Sequence, residues 1–129
     1  MNARPRLLVV DNEMDVCNFV KSFFDVRGFD VVAVFNGDEA LKVLDSVNPD
    51  VVILDVKMRT EDEGLEYLPR IKKKFPSAKV IMITGVDDKE VVEQCKKLGA
   101  DDYITKPLVL EYLEKTVMGK VKNLSRTAS

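Results

Sequence analysis

Short apolar runs alternate with longer segments of helical spacing along the whole sequence, and this alternation restricts the possible folds more than any other feature. Four of the runs are aliphatic throughout or nearly so, which is typical of parallel strands that are covered on both faces. A fifth run is weaker. The runs occupy residues 7–10, 31–35, 51–54, 80–83 and 103–105.

The segments between the runs repeat apolar residues at helical intervals and stop at helix-breaking residues. The first stops at Gly28, the second before Pro49 and the fourth at Gly99, an expected C-cap. The third begins near Leu65, and the last runs from Leu110 to about residue 121.

A strand followed by a helix five times predicts an α/β fold. We expect one doubly wound (βα)5 parallel sheet with right-handed crossovers and helices on both faces. The 129 residues suit a single domain over residues 1–123, and residues 124–129 are expected to be a polar tail or the start of a linker.

Composition excludes several classes of function. The net charge of −2 gives no electrostatic reason for direct nucleic-acid binding. The longest apolar run, residues 31–35, is far shorter than the roughly 20 residues of a membrane span. Without a histidine, the chain itself cannot form a Ser-His-Asp site or the usual zinc sites. With no signal peptide and only two cysteines, a cytoplasmic location is expected.

Two acidic residues follow predicted strands, at the edge where open α/β sheets bind their ligands. Asp11 follows the first strand and Asp55 the third, so the two carboxylates converge if these strands are neighbours. Like charges at that distance require a proton or a cation, and Mg²⁺ is commonly held by one or two carboxylates. Alternatively, each aspartate only caps the helix that follows it.

Thr84 and Lys106 follow the fourth and fifth strands and also have two interpretations. Thr84 is either the N-cap of the next helix or a hydroxyl that binds an added anion. Lys106 is either a surface lysine or a point charge for a carboxylate or phosphoryl group. The bond from Lys106 to Pro107 can be cis, as X-Pro bonds in tight turns sometimes are.

Four segments carry a family resemblance: LLVVDNE, VVILDVKM, VIMITG and YITKPL. Together, and in this order, they resemble the receiver domains of response regulators in two-component signalling, including the chemotaxis regulators. The resemblance covers about residues 6–121. It implies a flavodoxin-like sheet with strand order 2-1-3-4-5. It also implies that a sensor histidine kinase or a histidine phosphotransfer protein supplies a phosphoryl group.

The resemblance assigns roles at the acidic end of the sheet. Asp55 matches the phosphoacceptor, and Mg²⁺ is the implied cofactor. Its ligands would be Asp11, Asn12, Asp55 and the backbone carbonyl of Lys57. Such a domain is not an enzyme in the usual sense, because it catalyses only its own phosphorylation and slow dephosphorylation.

The remaining matched residues concern the response to phosphorylation. Thr84 matches the switch hydroxyl, Lys106 the phosphate-pairing lysine and Tyr103 the aromatic that changes rotamer. Val86 is apolar at a position where members of the family influence the water that attacks the phosphoryl group. The resemblance therefore implies slow dephosphorylation. The implied output face consists of helix 4, strand 5 and helix 5, and it would bind a partner or a second copy of the domain.

Three departures from the family pattern favour an alternative, a pseudo-receiver that binds partners without phosphorylation. Asn12 replaces the usual acid, and Arg59 replaces the usual proline. The loop at residues 59–64 is one residue longer than usual, with Gly64 nine positions after Asp55. The intact residues Asp55, Thr84 and Lys106 instead favour a receiver domain that is phosphorylated.

Two other α/β families fit the sequence less well. Haloacid-dehalogenase-like phosphatases need a second aspartate two residues after the nucleophile, where this chain has Lys57. Flavodoxin-like or dinucleotide-binding domains need a loop rich in Gly, Ser or Thr whose amides bind phosphate. After its first predicted strand, this chain instead has Asp11, Asn12 and Glu13, which would repel phosphate in the absence of a cation.

Overall fold

A computed structural model describes residues 4–85 and 89–128, with side chains up to Val121. Strands and helices alternate throughout. In chain order, the elements are β1 (Arg6–Val10), α1 (Met14–Asp25), β2 (Asp30–Val34), α2 (Gly37–Val47), β3 (Val51–Asp55), α3 (Glu63–Lys74), β4 (Lys79–Thr84), α4 (Lys89–Lys97), β5 (Asp102–Thr105) and α5 (Leu110–Ala128).

The five strands form one parallel sheet in the order β2-β1-β3-β4-β5. The predicted doubly wound fold and its strand order are therefore confirmed. The order reverses direction between β1 and β3, which places the topological switch point between these two strands.

Helices cover both faces of the sheet, and each face has its own apolar cluster. Residues of α1 and α5 pack on one face, through Phe24 and Leu113 among others. Residues of α2, α3 and α4 pack on the other, through Leu44, Leu68 and Cys95 among others. This double cover explains the aliphatic runs in the sequence, because β1, β3 and β4 are buried on both sides.

The strands differ slightly from the apolar runs. Four of them begin one residue earlier, at Arg6, Asp30, Lys79 and Asp102, because backbone pairing does not require an apolar side chain. In contrast, β2 ends at Val34 rather than at Phe35. The N–H of Phe35 donates to the carboxylate of Glu39 at 2.7 Å, which takes this group out of the strand ladder.

Two helices extend beyond the limits suggested by their apolar residues. The third helix begins at Glu63, two residues before Leu65. The last helix continues through residues 124–128, which the sequence analysis assigned to a polar tail or the start of a linker. Residues 122–128 are mostly polar, and a helix whose earlier turns are packed can extend through such residues. The predicted C-cap at Gly99 is confirmed by its φ of +102°. None of the described helices is both long and apolar enough to cross a bilayer.

The start of α3 lies against the backbone of β3 with no room for a side chain. A Cβ added to Gly64 would lie 2.2 Å from the carbonyl oxygen of Asp55. The N–H of Gly64 also donates to the carbonyl of Val56 at 2.8 Å. Gly64 thus fixes the distance between α3 and the end of β3.

We expect Gly64→Ala to lower the free energy of unfolding by about 1–3 kcal/mol, because backbone atoms must move to admit the methyl group. Gly119→Ala is a matched control, since an added Cβ meets nothing within 4 Å at this position in α5. The control should raise stability by up to about 1 kcal/mol through helix propensity. Urea unfolding of both variants measures the difference, and equal effects would contradict the close packing at Gly64.

Candidate functional site

The carboxyl edge of the sheet brings together four of the residues that the sequence analysis singled out. Val10 is aligned with Leu54, so the next residues, Asp11 and Asp55, lie side by side at the switch point. Thr84 is the last residue of β4. Lys106 follows β5, and its N–H donates to the carbonyl of Thr84 at 2.8 Å.

Both aspartates of this edge are buried. Asp11 is 4% exposed and Asp55 is 2% exposed. The carboxylate of Asp11 accepts a hydrogen bond from the N–H of Glu13 at 2.8 Å. The carboxylate of Asp55 accepts one from the N–H of Lys57. The Asp11 contact spans two residues, as in an Asx turn before a helix, so the capping interpretation describes part of its role.

Burial of the two carboxylates changes their protonation. Burial is the main reason that the pKa of Asp11 is raised to about 7. The hydrogen bond from the N–H of Glu13 opposes this shift, and the nearby Asp55 carboxylate adds to it. Burial also raises the pKa of Asp55, against the opposing effect of the Lys106 ammonium. A hydrogen bond between the aspartates favours the protonated form of Asp11 and the ionised form of Asp55.

Lys106 is the cation of the site. Its ammonium lies 3.3 Å from Oδ2 of Asp55, and its side chain is 42% exposed. The peptide bond to Pro107 is cis, as the sequence analysis considered. A cleft of about 180 Å³ lies beside these groups, and it is lined by Asp11, Glu13, Val16, Ile83, Lys106, Pro107 and Leu108.

Thr84 is buried at the end of β4 without a hydrogen-bond partner for its hydroxyl. Among the described side chains, this hydroxyl is the buried polar atom that has no hydrogen-bond partner. Buried polar atoms are usually paired, so an unpaired hydroxyl at this edge of the sheet suits an acceptor that arrives with a ligand. This geometry favours anion binding over the N-cap interpretation.

The other predicted site residues surround this centre. Asn12 is exposed next to Asp11. The ammonium of Lys57 points to a loop residue, Glu61, at 3.4 Å, so it is paired away from Asp55. Tyr103 is partly buried and packs on the same face of the sheet as α4, with the Lys96 ammonium 5.6 Å from its ring centroid. Val86, which the sequence analysis also named, lies outside the described residues.

The donors at this edge suit a hard cation. They are oxygens only: two carboxylates, the amide of Asn12 and the backbone carbonyl of Lys57. Within residues 4–85 and 89–128, no group of three or more Asp, Glu, His or Cys side chains could hold a metal. With Asn12 in place of an acid, the edge keeps a donor set that fits Mg²⁺ but has one negative charge fewer.

Sequence reasoning missed one buried acid near the site. Glu63 is 2% exposed, and its carboxylate forms an ion pair with Arg59, whose Nη2 lies at 2.8 Å. The sequence analysis noted Arg59 and the long loop only as departures from a family pattern. The available signal was the spacing of opposite charges four residues apart at the start of α3.

The pKa of Asp11 predicts an unusual pH dependence for the metal-free protein. In the folded protein the pKa of Asp11 is about 7, whereas its ordinary value is 3.8. Asp11 therefore holds its proton more tightly in the folded state than in the unfolded state. The free energy of unfolding should therefore decrease as the pH rises through this interval. Urea unfolding in the presence of a metal chelator, at pH values between about 5 and about 8, measures this decrease. The chain has no histidine, which leaves few other groups to titrate there. Asp11→Asn should lose most of this slope; an equal slope in the variant would contradict the assignment to Asp11.

Comparisons with known proteins place the chain in one family. The response regulator receiver domain family matches residues 7–118. The chemotaxis protein CheY of Listeria monocytogenes is 44% identical over 115 residues, covering 85% of this chain and 96% of that protein. The transcriptional regulatory protein PhoP of Bacillus subtilis, which acts in alkaline phosphatase synthesis, is 31% identical. That match covers 94% of this chain but only 48% of the relative.

A solved structure of a receiver domain has the same fold. The crystal structure of a CheY-like response regulator receiver domain protein from Methanospirillum hungatei superimposes with a TM-score of 0.89 at 26% identity, covering 97% of this chain and 99% of that one. The strand order, the carboxyl-edge residues and the family match over most of the chain lead to one conclusion: this chain belongs to the response regulator receiver domains of two-component systems.

Proposed function

We propose that this receiver domain accepts a phosphoryl group on Asp55 from a phosphohistidine of a sensor kinase or phosphotransfer protein. The observation that carries the proposal is the contact of the buried Asp55 carboxylate with Lys106 at 3.3 Å, beside Asp11 and the unpaired hydroxyl of Thr84. These 129 residues contain no histidine, so the phosphohistidine donor lies outside them.

The reaction is an in-line transfer. A carboxylate oxygen of Asp55 attacks the phosphorus, the new O–P bond forms as the P–N bond of the phosphohistidine breaks, and the electron pair remains on the donor imidazole. Asp55 must be ionised to attack, and the Lys106 ammonium opposes the effect of burial on its pKa. The hydrogen bond from the N–H of Lys57 also favours the ionised carboxylate and limits its orientations.

Charge neutralisation is the main requirement of this transfer. When bound, Mg²⁺ would neutralise charge on the phosphoryl oxygens and the aspartates. Asp11, Asn12, Asp55 and the carbonyl of Lys57 would hold the ion. On the other side of the phosphoryl group, Lys106 and Thr84 would supply an ammonium and a hydroxyl. We propose no activity on other substrates, and the domain would catalyse only its own phosphorylation and slow dephosphorylation.

Phosphorylation would change the packing of α4, β5 and α5. Thr84 and Tyr103 lie on adjacent strands, with Met82 aligned with Tyr103 and Thr84 aligned with Thr105. A hydroxyl without a partner gains one when a phosphoryl oxygen arrives, which biases Thr84 towards Asp55. Tyr103 is only partly buried and can turn into the space that Thr84 leaves. The face changed in this way would bind a partner or a second copy of the domain.

The alternative, a pseudo-receiver that acts without phosphorylation, draws its support from Asn12 and the altered loop. However, the contact between Asp55 and Lys106 and the unpaired Thr84 hydroxyl have no evident use in a domain that is never phosphorylated. These two features therefore support the phosphoacceptor.

Incubation with a small phosphodonor and Mg²⁺ should add a single phosphoryl group, and Asp55→Asn should abolish the addition because the nucleophilic carboxylate is lost. Intact-mass spectrometry measures the product. Asp62→Asn is a matched control, since it makes the same change at an exposed position of the neighbouring loop. If Asp55→Asn accepts the phosphoryl group as well as the wild type does, the assignment of Asp55 is wrong.

Asn12→Asp should tighten Mg²⁺ binding on the order of tenfold, or ~1.4 kcal/mol, because it restores an anionic group beside the divalent ion. Isothermal titration calorimetry measures the affinity. Asn18→Asp adds the same charge at an exposed position of α1 and should have little effect. Unchanged or weaker binding in Asn12→Asp would show that Asn12 does not face the metal.

A further inference from the structure

Glu63 is buried at the start of α3 and has an unusually complete set of hydrogen-bond donors. Its Oε2 accepts from the backbone N–H of Gly37 at 2.9 Å and from Nη2 of Arg59 at 2.8 Å. Its Oε1 accepts from Nε of Arg59 at 3.0 Å and from the backbone N–H of Arg59 at 2.8 Å. The carboxylate thus joins the loop after β3 to the first turn of α2.

The donors compensate for the burial of Glu63. Burial would raise its pKa, but the hydrogen bonds from Arg59 and from the N–H of Gly37 lower it below its ordinary value. The carboxylate also lies at the N-terminus of α2, where a negative charge is favoured by the helix dipole. Glu63 is therefore ionised and held in a fixed position.

The backbone contribution of Arg59 explains why an arginine can replace proline here. Proline has no N–H, so it could not donate the 2.8 Å hydrogen bond to Glu63. Where a proline would restrict the loop through its ring, this chain restricts the loop through an ion pair between a half-exposed arginine and a buried glutamate. We call the Arg59 and Glu63 side chains, with the backbone N–H groups of Arg59 and Gly37, the loop clamp.

The loop clamp is firmly connected to the phosphoacceptor. Gly64, adjacent to Glu63, packs against the carbonyl of Asp55 and donates to the carbonyl of Val56 at 2.8 Å. At the other end, the peptide unit that carries the Lys57 carbonyl is held through its N–H, on Met58, which donates to the carbonyl of Thr60 at 3.1 Å. Only Met58 separates Lys57 from Arg59, so the clamp limits the orientations of the Lys57 carbonyl.

We propose that Glu63 and Arg59 are positioning residues for the metal site, holding the Lys57 carbonyl in the direction that a cation at Asp11 and Asp55 requires. The inference rests on the proposed function, since it assumes that Mg²⁺ binds there. Partners that orient metal ligands typically affect affinity by 10–100-fold. Because Asn12 contributes one negative charge fewer than an aspartate would, the orientation of the neutral Lys57 carbonyl becomes more important for metal binding.

The test compares the Mg²⁺ affinity of Glu63→Gln with that of Glu61→Gln by calorimetric titration. Glu61 is a close control: it lies in the same loop and pairs with Lys57 four residues away, but its side chain is 88% exposed. Both variants remove one negative charge near the site. Glu63→Gln should weaken Mg²⁺ binding by roughly tenfold or more, whereas Glu61→Gln should change it by less than about twofold.

Two further measurements separate positioning from general damage. In the metal-free protein, amide hydrogen exchange of the loop between Lys57 and Asp62 should accelerate in Glu63→Gln, while the strands keep their protection. At saturating Mg²⁺, the rate of phosphorylation of Glu63→Gln should return close to that of the wild type, because the defect lies in binding the metal. A rate that stays low at saturating Mg²⁺ would contradict a positioning role.

Arg59→Lys provides a second variant if Glu63→Gln does not fold. Arg59 is half exposed, and the lysine keeps the charge and the backbone N–H but loses the paired guanidinium bonds. It should weaken Mg²⁺ binding relative to the wild type. Wild-type affinity in the folded variants overturns the loop clamp alone. A wild-type protein that neither binds Mg²⁺ nor accepts a phosphoryl group overturns the proposed function itself.

Discussion

Two buried carboxylates, placed side by side by the pairing of β1 with β3, determine the chemistry of this domain. Asp11 and Asp55 cannot separate without breaking the sheet, and they cannot both be charged without compensation. The backbone N–H groups of Glu13 and Lys57 and the ammonium of Lys106 compensate only in part, because the pKa of Asp11 remains raised to about 7. The edge is therefore prepared for a cation.

A comparison of Asp11 with Glu63 shows what separates a reactive buried acid from a structural one. Both are almost fully buried. Glu63 has donors for both of its oxygens, including a guanidinium, and its pKa is lowered. Asp11 has one backbone donor and a like-charged neighbour, and its pKa is raised. The number and charge of the donors, rather than burial itself, decide which acid is available to bind a ligand.

The fold and the centre of the site could be predicted from the sequence because each depends on local patterns. Aliphatic runs mark the strands, and a polar residue directly after a run marks the edge where Asp11, Asp55, Thr84 and Lys106 meet. The end of the last helix was less clear from the sequence, because Leu124 and Ala128 continue the helical spacing of Val117 and Val121 but most residues between 122 and 129 are polar.

Glu63 was missed for a different reason. It follows Thr60, Glu61 and Asp62, a polar stretch that resembles a solvated loop. Its burial depends on an N–H of Gly37, 26 residues earlier in the chain, and on the close approach of α3 to β3. The spacing from Arg59 indicates an ion pair, but no local pattern reports the Gly37 partner, so the burial of Glu63 is seen only in the tertiary structure.

The two side chains of the loop clamp are not equally replaceable. A buried glutamate without its arginine would leave an unpaired charge, a loss of about 3–5 kcal/mol. In contrast, a half-exposed arginine without the glutamate is tolerable. The two losses are therefore unequal: removal of the arginine side chain should destabilise the folded domain more than removal of the glutamate side chain.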